Sequence, residues 1–224
     1  MPSRAELARS LRRVSAAGWR FSGASDHLVS EALYLDDPEG NGIEIYRDRG
    51  RDEWSYERGE LQMATLPLDL EGVLASAPSG ETGAGIAPGT RVGHVHLQVA
   101  SIRDAEVFWV GAVGFDAVGR GYPGALFVSA GGYHHHLGLN TWAGEGVPAA
   151  PPGARGLRAF ELVLPDDASL REVLQSLAQP GSRWGTRAAG RPSPTRQGTG
   201  PSSPSAERVA ATAARACRSY GLPA

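Results

Sequence analysis

The chain has 224 residues, enough for one large domain or two small ones. With 41% hydrophobic and 21% charged residues it has the material of an ordinary globular core, which excludes a low-complexity polymer. No apolar run approaches the roughly 20 residues that a membrane helix needs, so no membrane partner is expected. The start, Met1-Pro2-Ser3-Arg4-Ala5-Glu6, has no apolar leader core, and the single cysteine, Cys217, excludes an internal disulfide framework. Together these predict a cytoplasmic protein. The net charge of −2 conceals an asymmetry. Residues 1–180 carry 15 Arg against 23 Asp and Glu, a net of −8, whereas residues 181–224 carry 7 Arg against Glu207 alone, a net of +6. A basic tail can serve nucleic acid, but this one has no lysine and no interleaved aromatic platform, so no nucleic-acid partner is expected.

In chain order, Leu7, Leu11 and Val14 recur at helical spacing and predict a helix over Ala5 to Ala16. Ser3 with Glu6 reads as its capping box and Gly18 as its stop. Strands are expected near Trp19 to Ser22, over Glu31 to Leu35 and over Gly42 to Arg47. Residues 48–90 read as a connector in which Trp54, Met63 and Pro67 to Glu71 pack and Ser76 to Pro88 is loose. A second pattern follows. It has a strand at Gly93 to Val99, a helix at Ile102 to Val113, and strands at Phe115 to Val118, Ala125 to Ser129 and His134 to Asn140. A further strand, Gly156 to Pro165, and a further helix, Ser169 to Leu177, close it. Gly181 to Ser205 has no hydrophobic period and predicts disorder, and Ala206 to Ser219 a short Ala-rich helix. The expected fold class is α+β, built from a β-α-β-β-β unit present once in full and twice in part.

The chemistry-bearing residues lie on these strands. Asp37-Pro38-Glu39-Gly40-Asn41-Gly42 supplies tight-turn chemistry. It feeds Ile43-Glu44-Ile45-Tyr46, where alternation sends Glu44 and Tyr46 to the face opposite Ile43 and Ile45. On this segment alone Glu44 reads either as a solvated carboxylate or as a metal ligand. His94 and His96 are two apart on one strand and share a face, which Gln98 continues. They read as hydrogen-bonded interior histidines or as ligands. His134, His135 and His136 open another strand, with His134 and His136 facing opposite to His135, and read as ligands or as the polar mouth of a site. His27, beside Asp26, is a local hydrogen-bonding residue or a catalyst. Two His and one carboxylate make the facial triad of non-haem Fe(II) oxygenases, so the residue types are present.

The β-α-β-β-β pattern resembles the vicinal oxygen chelate superfamily, which includes glyoxalases, bleomycin-resistance proteins and extradiol dioxygenases. Gly23 to Leu35, the Glu44 segment, Val92 to Leu97 and Gly131 to Trp142 are similar to two-module catechol 2,3-dioxygenases, over residues 4–178. The resemblance implies residues 1–50 as the second half of a first module, 51–90 as a connector, 91–180 as an incomplete second module and 181–224 as an unrelated tail. It implies Glu44 and His94 as metal ligands, His27 as an acid/base histidine and Tyr34 as its supporting phenol. His96, His134, His135 and His136 follow as substrate-side or supporting groups. By the same resemblance the other histidine ligands of the first module precede Met1. That of the second falls near Ala159, where Glu161 is two residues offset, so neither module holds a full triad. The implied activity is extradiol cleavage of a small aromatic substrate with dioxygen and Fe(II), with Mn, Zn or Ni as alternative metals. A glyoxalase-like lyase or isomerase and an inactive binding module stay open as alternatives. Half-modules leave open sheet edges, which predicts a homo-oligomer.

Overall fold

The computed structural model describes residues 1–151, 153–178 and, as backbone only, 208–211. It has two compact units, Met1–Val95 and the described residues of His96–Ala216.

The first unit opens with helix α1 (Arg4–Ala16), whose N-cap Ser3 accepts from the Glu6 amide at 3.2 Å. Strands β1 (Gly23–Asp26), β2 (Ser30–Asp36) and β3 (Gly42–Asp48) follow as an antiparallel meander. The expected strand at Trp19 to Ser22 lies four residues late. Trp19 is 42% exposed and its indole donates to the Asp36 carbonyl, so the aromatic signal marks a brace and not a strand.

The stretch after β3 forms several short elements. It holds a 3-10 turn (Arg51–Glu53), a small hairpin of β4 (Tyr56–Glu57) and β5 (Glu60–Leu61), strand β6 (Leu66–Pro67) and helix α2 (Leu70–Ala75). β6 pairs with β1 and completes a sheet of order β3-β2-β1-β6. Pro67 breaks the sequence signal for a strand, yet an outermost strand tolerates proline because one of its sides needs no donor.

Alternation divides this sheet into two faces. Register sets Ala24, Leu33 and Ile45 abreast. They pack with Leu7, Ala8, Val73 and Ala77 of α1 and the α2 region as the core. The opposite face carries Tyr34 and Glu44, which are direct cross-strand partners.

The second unit runs β7 (Val95–Gln98), α3 (Ile102–Glu106) continuing as a π turn (Val107–Ala112), β8 (Asp116–Gly119), β9 (Ala125–Ser129) and β10 (Leu137–Asn140). This is one full β-α-β-β-β unit, with sheet order β7-β10-β9-β8. The fold class is α+β, as the pattern predicts. Leu126, Val128, Leu137 and Leu139 are buried, and α3 packs on β9 and β10. The helix expected over Ile102 to Val113 is thus continuous but changes to wider π winding at Val107, as buried Trp109 packs edge-on to Phe115 and stacks on Phe160.

β11 (Phe160–Val163) and α4 (Asp167–Leu177) follow, with Asp166 as the α4 N-cap. β12 (Arg208–Ala211) pairs antiparallel with β11, so these four residues are a strand where a helix was expected. The rest of the predicted tail, disordered or helical, lies outside the described residues.

Candidate active site

On the open face of the first sheet, four side chains form one hydrogen-bonded line. His27 Nδ1 lies 2.7 Å from the Ala64 carbonyl, and since a carbonyl only accepts, Nδ1 carries hydrogen and donates. His27 Nε2 is 2.5 Å from the Tyr34 hydroxyl, and Tyr34 donates to Glu44 Oε1 at 3.1 Å. Glu44 Oε2 lies 2.7 Å from His94 Nε2. The His94 ring also stacks on Tyr46 with centroids 4.7 Å apart. Both ends of the Glu44–His94 pair are shielded, the side chains being 14% and 4% exposed.

Local sequence explains each placement. Asp37 builds the turn before β3. Its Oδ1 accepts from the Glu39 and Asn41 amides and its Oδ2 from the Asn41 side chain, each at 2.8 Å. These bonds to Asn41, first the side-chain one and then the backbone one, hold the Asp37 carboxyl below its ordinary pKa range. Asn41 leads directly into β3, which carries Glu44.

His27 sits in the β1–β2 turn beside Leu28, a non-glycine residue at φ 67°. Asp26 Oδ1 accepts from the Leu28 amide at 2.9 Å, and Arg49 holds Oδ2 at 2.6 Å. Arg49 also lies 3.6 Å from Glu31, a buried carboxylate bracketed by Arg4 at 2.9 Å and Arg47 at 2.6 Å. Arg4 is held above its ordinary pKa chiefly by its hydrogen bond to Glu31. This ion network was not singled out in the sequence. Its signal was present as the cross-strand register of Glu31 with Arg47.

In the second unit, His96 and His135 each offer a ring nitrogen, within 4.8 Å of one another, and this histidine cluster fits metal binding. Their rings meet edge to face at 5.5 Å, and Phe127 packs edge-on against both. The triple histidine does not open a strand: β10 begins at Leu137. Gly131 and Gly132, both at positive φ, turn the chain just before it, so the histidines line a loop. His134 and His135 are buried with their Nδ1 atoms 2.9 Å apart, hence not on opposite faces. His136 Nδ1 accepts from the Ala130 amide at 3.2 Å and clamps that loop. Glu161 is exposed on β11.

The chain is 45% identical over 184 residues to the catechol-2,3-dioxygenase of Bacillus subtilis (strain 168). It is a homologue of that enzyme. The match covers 81% of this chain and 64% of the relative, so the chain spans just under two thirds of the relative's length. No family model matches the chain. The resemblance carried by the motifs to catechol 2,3-dioxygenases of the vicinal oxygen chelate superfamily is thereby borne out. No helix among the described residues is long and apolar enough to cross a membrane.

Glu44 and His94 come from what the motif reading treats as two separate, incomplete modules. They are nevertheless hydrogen-bond partners within the first unit. Fifty residues separate them in sequence, and no local pattern encodes their meeting.

Proposed function

We propose that this chain acts as a metal-dependent extradiol dioxygenase that opens catechol-type rings next to the hydroxyl pair. One observation carries the reading: a carboxylate and an imidazole, Glu44 and His94, converge at 2.7 Å on a shielded sheet face with a tyrosine and a second histidine lined up behind them. Homology to a catechol-2,3-dioxygenase supports it.

The donor set fits a mid-row divalent ion. Imidazole and carboxylate are the ligand types of the non-haem iron facial triad, and donors this close can share one ion. Glu44 Oε2 and His94 Nε2 would hold it, with His94 giving up its Nε2 hydrogen on loading, because only the neutral imidazole nitrogen ligates. Fe(II), when bound, would supply Lewis acidity toward the catechol oxygens and a path for electrons from the ring, which is the group oxidised, to dioxygen.

The protein's own part is orientation and proton handling. The Ala64 carbonyl fixes the His27 tautomer and leaves Nε2 facing Tyr34. The Tyr34 hydroxyl has one hydrogen to give, so it serves either His27 Nε2 or Glu44 Oε1, and the proton on Nε2 decides which. With Nε2 bare, Tyr34 donates to it. With Nε2 protonated, Nε2 donates to Tyr34 and Tyr34 donates to Glu44. The His27–Tyr34 pair can therefore accept one proton from a catechol hydroxyl and hold it at Nε2 without moving heavy atoms, as general-base catalysis requires. Once Nε2 holds the proton, Tyr34 donates to Glu44 Oε1 and steadies it, leaving Oε2 for the metal.

The test is anaerobic Fe(II) titration of the full chain, followed by catechol and then oxygen. Wild type is expected to bind Fe(II) stoichiometrically and to consume one dioxygen per ring opened. Glu44→Gln should lower Fe(II) affinity at least about 100-fold. Unaltered binding in that variant, or turnover without oxygen uptake, would overturn the reading; the second result would point to a lyase or isomerase.

A further inference from the structure

Gly138 lies in the middle of β10, fully inside a four-stranded sheet, where a glycine weakens a strand and supplies nothing to pack. Its backbone does not need glycine, for it has no positive φ. What it needs is the space. A Cβ at this position would lie 2.5 Å from both Nδ1 and Cε1 of His96 and 3.1 Å from Cγ. The His96 imidazole therefore rests flat against the bare backbone of the neighbouring strand.

Register shows what this achieves. Gly138 pairs with Phe127 on β9, and β10 lies between β7 and β9. Across three adjacent strands the row reads His96, Gly138, Phe127. The missing side chain in the middle lets the outer two rings meet over it, edge to face at 6.1 Å and 80°. His135, from the loop entering β10, completes the corner at 5.5 Å from His96 and 4.9 Å from Phe127. Such packing of an aromatic ring over a strand glycine sets the plane of the ring.

We propose that Gly138 is a positioning residue for the His96–His135 pair: the absence of a side chain at 138 fixes the plane of the His96 imidazole and, through ring contact, that of His135. The inference rests on the reading above and adds to it that this histidine pair, whose ring nitrogens fit metal binding, serves the same ring-opening reaction. A methyl group at 138 must displace the His96 ring, because the opposing atoms belong to a stiff planar ring on a strand. His135, buried and touching both His96 and Phe127, has to follow.

Gly138→Ala, His96→Asn and the double variant test this with two readouts. The first needs neither metal nor substrate: the Cε1–H correlations of His96 and His135 in an aromatic NMR spectrum. Gly138→Ala should move both resonances while distant histidines such as His27 stay in place. The second is steady-state ring cleavage per folded molecule. Gly138→Ala should lower kcat by about tenfold or more with KM changed by less than about threefold, as expected for a misplaced group that acts in the transition state. His96→Asn, whose smaller side chain clears a methyl at 138, should show the same kcat alone and combined with Gly138→Ala, because both changes act through one ring. A His135 resonance unmoved in Gly138→Ala, or multiplying losses in the double variant, would overturn the proposal. If wild type opens no catechol ring, the enzymatic reading fails separately, and the resonance shifts alone decide whether Gly138 sets the pair.

Discussion

Glu31 shows how much of the site depends on residues that never face it. Its side chain is 2% exposed and meets Arg4, Arg47 and Arg49 at 2.9, 2.6 and 3.6 Å. The three cations come from α1, β3 and the residue following β3, so one carboxylate ties the helix to the sheet. Removing one partner of a buried ion cluster costs more than the cluster contributes, because the remaining charges stay desolvated. Glu31→Ala should therefore destabilise the protein by about 3 kcal/mol in a denaturant titration. A loss under about 0.5 kcal/mol would show that the arginines find water instead. The change also frees Arg49 to leave Asp26, whose turn carries His27, so a site defect should accompany the stability loss. The sequence revealed His27, Tyr34, Glu44 and His94 as candidates through residue type and motif. It did not reveal Glu31, because a glutamate within a strand looks like any solvated acid until the residues opposite it are known.

At the scale of elements, the caps and turns were legible because their chemistry is local. Ser3, Gly18 and the Asp37–Gly42 turn act within four residues of themselves, and each does what its residue type predicts. β6 and the triple-histidine loop were not legible. The first is held by pairing with β1, and the second is bent by two glycines and clamped by His136. The Asp37 turn carries a pH prediction. Hydrogen bonds from Asn41 depress the Asp37 carboxyl in the folded chain, so folding favours its charged form. The support it gives is complete above the ordinary carboxylate value of 3.8 and is lost as pH falls below that value through the depressed one. In an acid titration followed at Tyr34 and Tyr46, wild type and Asp37→Asn should converge toward low pH and diverge above that ordinary value, wild type being the better ordered. Parallel curves throughout would show that the turn does not depend on this carboxylate.

At the scale of the whole molecule, the two units handle their closing strands differently. In the second, β10 is flanked on one side by β7 and on the other by β9. In the first, β3, seven residues long, ends the sheet in hydrogen-bond order, with β2 as its only strand neighbour among the described residues. A long strand at a sheet edge is a template for pairing with another chain unless charge or proline blunts it. β3 has no proline, its Glu44 and Arg47 charges are engaged with His94 and Glu31, and the Met1 ammonium donates to the Tyr46 carbonyl, so the exposed stretch is the start of the strand, where Ile43 is 41% exposed beside the Asp37 turn. Self-association through this edge would cover Ile43 and further shield the strand that presents Glu44. The expected outcome in sedimentation velocity is a dimer at micromolar concentration. Ile43→Lys, which places a charge on the edge without touching Glu44 or its turn, should weaken that association by at least about tenfold, a difference of about 1.4 kcal/mol. A chain that stays monomeric at every concentration, or a dimer indifferent to lysine at 43, would remove the β3 edge as the interface. Fe(II) titration of Ile43→Lys then adds a second discrimination. Unchanged metal affinity would show that the Glu44–His94 pair is assembled within one chain, whereas a loss in parallel with the dimer would show that the edge contact completes it.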